Sequence, residues 1–153
     1  MQSLIDKDQI KELKARYFRG LDTKDWVLFA GTLTDDIEGR YSGGQLSFDG
    51  KQPLVSFMQD NLSIGTVVTM HHGHHPEITI DDNGVSASGV WYLQDMVIDL
   101  VGKTRLYGAA IYKDEYRKTN GEWLISKTGY DRTFEFVEPL GDKHIVLQSM
   151  FAG

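Results

Sequence analysis

A chain of 153 residues has room for one domain with a real core, because about two-thirds of the surface of an unfolded chain this long leaves water on folding. Its 16 basic and 22 acidic residues give a formal charge of −6, which repels phosphate backbones, and no concentrated basic patch offsets it, so nucleic acid is not expected as a partner. Cysteine is absent, which rules out disulfides, thiolate chemistry and cysteine-ligated metals and fits a cytoplasmic location.

The first segment, Asp6 to about Lys24, has the pattern of a helix. Asp6 reads as its N-cap, with Gln9 completing a capping box, and Ile10, Leu13, Tyr17 and Leu21 recur on one face. Lys11, Lys14 and Arg16 share the helical spacing and read as a solvated face. A second short helix, about Asp25 to Leu33, carries the stripe Trp26, Phe29, Ala30 and Leu33. Ile37 to Tyr41 reads as a short strand stopped by Ser42-Gly43-Gly44. Asp49-Gly50 is a turn signal, and Pro53 suits the first turn of a third helix with Leu54, Phe57 and Met58 facing inward.

After Gly65 the pattern becomes strand-like. Val67 to His72 and Glu77 to Ile80 read as two strands, the second closed by Asp82-Asn83-Gly84. Val85 to Leu100 alternates, placing Val85, Ala87, Gly89, Trp91, Leu93, Asp95 and Val97 on one face. Thr104 to Lys118 and Glu122 to Phe136 are two further long strands, joined at Asn120-Gly121. Helices followed by long strands in tight hairpins predict an α+β fold, a curved antiparallel sheet covered by the N-terminal helices as a cone. The expected organisation is a single domain over 1–153, with a core of about 6–136 and a C-terminal extension of 137–153. No stretch approaches the roughly 20 apolar residues of a membrane span, and Met1 to Asp8 lacks the apolar run of a signal peptide.

Four of the five histidines fall within Met70-His71-His72-Gly73-His74-His75-Pro76. No Glu or Asp at metalloprotease spacing accompanies them, so no metal is expected. Strand alternation sends His71 and His72 to opposite faces, so at most one of that pair enters a cavity. A cavity histidine accepts or gives a proton near neutrality and needs a carboxylate to fix its tautomer. Asp22, Asp25, Asp95 and Asp99 are the candidates. Asp22 sits at the C-terminal end of the first helix, where the helix dipole disfavours an acid. Asp95 lies on an otherwise apolar face and needs a partner, for which Arg132 is the candidate. Tyr17, on the apolar face of the first helix, is either a core tyrosine or a phenol donor to a developing oxyanion. There is no Gly-x-Ser-x-Gly elbow, P-loop or dinucleotide fingerprint.

Several segments resemble SnoaL-like proteins of the nuclear transport factor 2-like superfamily. They are Arg16-Tyr17 with Leu21-Asp22, Thr69 to Ile78, Ala87 to Asp95, and Tyr112 to Tyr116 through Gly121-Glu122-Trp123-Leu124-Ile125 to Arg132. The resemblance covers about Asp6 to Phe136 and is nearest to the branch that includes bile acid 7α-dehydratase. Scytalone dehydratase and hexachlorocyclohexane dehydrochlorinase are more distant relatives. It implies a cofactor-independent lyase of dehydratase type, with Tyr17, Asp22 and His71 as catalytic residues. Asp95, Arg132 and His74 are then substrate-binding residues, and Trp91, on the Asp95 face of its strand, is placed with them as an aromatic contact. His72 is one position from the histidine match and stays open as an alternative. The implied substrate is a hydrophobic small molecule, steroid or polycyclic, which the aromatic residues Phe18, Trp26, Phe57, Trp91 and Tyr107 would suit. An isomerase using the same base and a non-catalytic binding or assembly domain are the rival readings. The resemblance also implies a homo-oligomer, dimer or trimer, packed through apolar residues such as Val90, Tyr92, Met96 and Ile98.

Overall fold

The structure, a computed structural model, describes residues 1–151. Helix α1 (Gln2–Asp22) starts earlier than the capping pattern predicts. Asp6 is not its cap. It lies inside the helix, 1% exposed, and its Oδ1 accepts hydrogen bonds from Lys118 Nζ (2.6 Å), Trp123 Nε1 (3.0 Å) and Gln2 Nε2 (3.3 Å). The spacing of a capping box also fits an interior acid, and partners more than a hundred residues away decide the matter. The predicted apolar face of α1 is buried against the sheet through Ile10, Leu13, Tyr17 and Leu21. Burying each such side chain contributes about 1.5–3 kcal/mol. Lys14, read from sequence as solvated, is fully buried in the same face.

The Asp25 side chain caps α2 (Trp26–Gly31) by accepting from Leu28 N–H at 2.9 Å. Strand β1 (Leu33–Tyr41) then leads to the short β2 (Leu46–Asp49) and to α3 (Lys51–Leu62), where Leu54 is buried. Strands β3 (Val67–Ile80), β4 (Ser86–Asp99), β5 (Thr104–Thr119) and β6 (Glu122–Pro139) follow as long antiparallel hairpins. The two predicted strands around the histidine run are one strand with a bulge between His74 and Glu77, where His75 takes φ 45°. Ala87 through Asp95 face inward in alternation as expected, but Val85 precedes β4 and is 49% exposed.

The sheet has six strands in the order β2-β1-β6-β5-β4-β3. It is mixed, not wholly antiparallel: β1 pairs in parallel with β6, from Leu33↔Ile125 to Tyr41↔Tyr130. Turn signals report only local hairpins, and this pairing joins segments far apart in the chain. It also demands Gly129, where a Cβ would come within 1.7 Å of the Arg40 carbonyl oxygen. The helices cover the inner face of the curved sheet, and the space between them is the cone interior. After Leu140, whose N–H bonds the Lys103 carbonyl, the tail runs without helix or strand to Phe151, over whose ring Lys24 Nζ lies at 4.6 Å.

Candidate functional site

The cone holds a cavity of about 150 Å³. Helix α1 contributes Tyr17 and Leu21, β1 contributes Tyr41, and α3 contributes Phe57, Met58, Asn61 and Leu62. The strands β3 to β6 supply Thr69, His71, Asp95, Val97, Leu106, Tyr112, Tyr130 and Arg132. The lining is mostly apolar and aromatic, with polar groups in three places, which is the usual make-up of a small-molecule site.

At the first place, Asp22 and His71 meet at the junction of α1 and β3. The carboxylate Oδ1 lies 2.7 Å from His71 Nδ1 and accepts Thr69 Oγ1–H at 2.8 Å, while Oδ2 accepts the His71 backbone N–H at 2.9 Å. An ionised carboxylate only accepts, so with Nδ1–H donating to Asp22 the ring keeps Nε2 as its acceptor nitrogen. Phe18 stacks on the ring at 6.0 Å and 8°. That stacking needs Gly73, where a Cβ would come within 2.6 Å of the Phe18 ring. Asp22 itself faces an outer groove lined by Ala15, Phe18, Arg19, Gly73, His72 and His74, and His71 stands between that groove and the cavity, bordering both.

The second place is a pair of phenols. Tyr17 Oη and Tyr41 Oη are 2.7 Å apart and both rings are buried. One hydroxyl hydrogen bridges the two oxygens, which leaves the other for a ligand. Burial pushes the ionisation of both phenols, and of neighbouring Tyr112, well above the ordinary tyrosine value, so they stay protonated as donors.

The third place is an ion pair across β4 and β6. Arg132 donates to both carboxylate oxygens of Asp95, from Nη2 at 2.8 Å, and its guanidinium lies 4.7 Å from the Tyr130 ring centre. Its Nε approaches Glu135 Oε2 at 3.1 Å without a hydrogen-bonding angle, so that nitrogen is buried and unpartnered. Burial works against the guanidinium charge, but the Asp95 hydrogen bonds together with the negative charge of Asp95 and Glu135 and the neighbouring Tyr130 outweigh it and raise the Arg132 pKa.

Behind the phenols lies a fully buried polar cluster. Lys14 Nζ meets Asp114 Oδ2 at 2.8 Å, and Asp114 also accepts from Tyr116 Oη (2.9 Å) and Thr128 Oγ1 (2.7 Å). Tyr116 Oη in turn accepts the Trp91 indole N–H at 2.8 Å.

The structure therefore brings Tyr17, His71, Asp95 and Arg132 to the cavity, with Asp22 directly behind His71. His72 is exposed and lines the outer groove but not the cavity. Trp91 is held in the buried cluster away from the cavity, and His74 lies exposed on the outer groove, so neither lines the expected site. Of the expected aromatic lining only Phe57 is present; Tyr107 lies on the outer face, where it accepts from Gln94 at 2.6 Å. Tyr41, Tyr112 and Tyr130 were not anticipated. Counting alternate positions along β5 from Leu106 would have found Tyr112, which shares its face.

A SnoaL-like domain model matches residues 2–129, and the chain belongs to that family. Among solved structures it is similar to the hexachlorocyclohexane dehydrochlorinase LinA type 3 from Novosphingobium barchaimii, 19% identical over 96% of this chain and 98% of that one, with a TM-score of 0.80. It is similar to a candidate scytalone dehydratase from Novosphingobium aromaticivorans, 16% identical over 95% and 92% of the two chains, TM-score 0.80. A protein of unknown function with a cystatin-like fold from Nostoc punctiforme is 27% identical over 84% and 91%, TM-score 0.66. Among the described residues no group of three or more His, Cys, Asp or Glu is placed to hold a metal ion, and no helix is long and apolar enough to cross a membrane.

Proposed function

We propose that the protein is a cofactor-independent lyase that eliminates water, or a comparable leaving group, from a hydrophobic small molecule. The observation that carries this reading is the His71–Asp22 pair, with Nε2 of the ring left as its acceptor nitrogen and both His71 and a phenol pair lining the cavity. His71 is the general base that takes a proton next to a carbonyl, and Asp22 holds the ring and stabilises the imidazolium that forms. The free hydroxyl hydrogen of the Tyr17–Tyr41 pair bonds the enolate oxygen as charge develops on it. When the enolate collapses, the new double bond forms as the carbon–oxygen bond to the leaving hydroxyl breaks, and the His71 imidazolium returns its proton to that oxygen, which departs as water. Asp95 and Arg132 hold polar substituents of the substrate at the far wall. Every carboxylate oxygen of Asp22 and Asp95 is already engaged, and Arg132 is flanked by two carboxylates, which favours a neutral substrate. One ring with its carbonyl fits about 150 Å³, and a polycyclic substrate such as a steroid would extend past the more exposed Leu46 and Asn61. The set Tyr17, Asp22, His71, Asp95 and Arg132 supports kinship with the bile acid 7α-dehydratase branch.

The same reading includes self-association through the outer sheet face. Val90, Tyr92, Phe134 and Phe136 are exposed there, Tyr92 to 57%, and Tyr107 lies 5.8 Å from Phe136. Sedimentation of the purified protein gives its mass in solution; a monomer at all concentrations would remove this part.

The experiment is thermal stability across hydroxylated steroids and small aromatic ketones, with wild type beside His71→Ala. A ligand at 100 times its Kd adds about 2.7 kcal/mol. A shifting compound is then followed for product. Loss of water establishes a lyase, a moved double bond an isomerase, and binding without conversion a binding module.

A further inference from the structure

Lys14 is a charged group that this chemistry does not use, and its surroundings are unlike those of a surface lysine. It is 0% exposed, as is its partner Asp114. Burial draws the Lys14 pKa below the ordinary lysine value, and the Asp114 carboxylate pulls the other way, in favour of the charged form. Replacing such a pair by packed apolar side chains is often neutral or stabilising, so a buried pair needs a reason other than stability. The reason is in what the ammonium touches. Nζ lies 3.6 Å from the ring centre of Tyr112 and 4.4 Å from that of Tyr17, the two phenol rings that back the cavity. Phe18, 5.0 Å from Nζ, is the ring that stacks on His71. Asp114 also binds Thr128 and Tyr116 on the sheet, and Lys14 Nζ reaches the same Thr128 Oγ1 at 3.5 Å. Of the two ends of the pair, it is the ammonium that lies over the aromatic floor of the cavity, while the Asp114 charge acts on Tyr17 and Tyr41 from behind and adds to burial in opposing their ionisation.

We propose that Lys14 is a positioning residue for the Tyr17–Tyr41 donor pair: its ammonium, held by Asp114, fixes the rings of Tyr17 and Tyr112 and strengthens the hydrogen bond the phenols give to an oxyanion in the cavity. A cation on the face of an aromatic ring draws electron density from it, and the effect is largest where both are desolvated. For a phenol this makes the O–H a better donor. No proton or electron is transferred to or from Lys14. The inference rests on the reading of the phenol pair as an oxyanion donor.

The test uses 4-nitrophenol, a single ring that carries its own oxyanion and whose colour reports its ionisation, beside nitrobenzene as the neutral counterpart. The measured quantity is the ratio of the two affinities at a pH where free 4-nitrophenol is ionised. Because the chain has no cysteine, Lys14→Cys creates a unique thiol. Alkylation of the unfolded variant with 2-bromoethylamine and refolding restores an ammonium of nearly the same length; alkylation with 1-bromopropane restores the volume without the charge. The aminoethyl form should keep the wild-type ratio, and the propyl form should lose about tenfold on the anion alone. Lys14→Met with Asp114→Asn, which leaves no unpaired charge, should lose the anion preference in the same way and serves if the propyl form fails to refold. A merely structural Lys14 would change both affinities together. Equal ratios in the wild type and in the double variant overturn the proposal and leave the donor role of the phenols standing. A wild-type ratio no greater than that of Tyr17→Phe, or no binding of either compound, overturns the donor role and this proposal with it.

Discussion

The carboxylate of Asp22 accepts both the backbone N–H and the Nδ1–H of His71, at 2.9 and 2.7 Å, so one side chain fixes the strand and the ring it carries. The acid stands at the end of α1, where the helix dipole disfavours it, and the bonds to β3 compensate. On this arrangement His71→Ala should lower turnover of a responding substrate by roughly 10²–10⁴-fold. Asp22→Asn keeps the shape but lets the amide present its NH₂ to the ring, and should lower turnover with little change in KM. Steady-state rates check both; a His71→Ala variant with more than about a tenth of wild-type turnover contradicts the base assignment.

The phenol pair predicts an unequal result for two similar changes. Tyr17→Phe and Tyr41→Phe each remove one hydroxyl of the 2.7 Å pair. If Tyr17 carries the free hydrogen, its loss lowers turnover by about 10²-fold or more, and loss of the Tyr41 hydroxyl by less. Equal losses would mean that either oxygen serves the ligand.

Gly73→Ala tests the packing that holds His71. The added methyl meets the Phe18 ring within 2.6 Å, and Phe18 is itself packed between α1 and the sheet. Overpacking of this kind costs about 1–3 kcal/mol. Urea unfolding should show that loss, with unchanged slope, and the His71 ring resonances should shift.

Removing one half of the buried pair should be far worse than removing both. Lys14→Met strands Asp114 in the core and should cost about 3–5 kcal/mol, whereas Lys14→Met with Asp114→Asn should recover most of it. Denaturant midpoints decide this.

Asp6 predicts a dependence on pH. Its hydrogen bond from Lys118, with that from Trp123, holds its carboxyl below the usual aspartate value. The folded carboxylate thus binds a proton less readily than the unfolded one. The stability it adds is complete above the ordinary aspartate range and is lost as pH falls through the lowered value. Wild type should exceed Asp6→Asn in urea midpoint at pH 7, and the gap should close on acidification; a gap independent of pH would remove the assignment.

The strands and their turns were legible because they obey local rules. Asn120-Gly121 and Asp82-Asn83-Gly84 announce hairpins by backbone conformation alone, and both are present, with φ of 51° at Asn120 and 84° at Gly121. The Asp95–Arg132 contact was legible for a different reason: a carboxylate on an apolar face is costly without a partner, and the last strand offered an arginine. What escaped depends on distant residues. Lys14 sits four residues after Ile10 and three before Tyr17, squarely on the apolar stripe, but a lysine there looks solvated until Asp114 is known to lie opposite. Asp6 misled in the same way. His74 was assigned from resemblance and Trp91 from its place on the Asp95 face of the strand, and the structure puts Trp91 in the buried polar cluster behind the phenols and His74 outside.

The parallel seating of β1 against β6 has a consequence for how the molecule is made. Residues 33–41 can pair locally with β2, but they cannot find their other sheet neighbour, the one that ties them to the main sheet, until residues 125–130 exist. A nascent chain on the ribosome must therefore hold α1, β1 and α3 without the strand that closes them, with their apolar faces uncovered. Loop-closure entropy for such distant contacts makes folding slow, and unfinished chains are exposed to aggregation meanwhile. Tyr41 and Tyr130, paired in the last register of that seam, join an early and a late part of the cavity wall, so the pocket takes shape only once the chain has been made past β6.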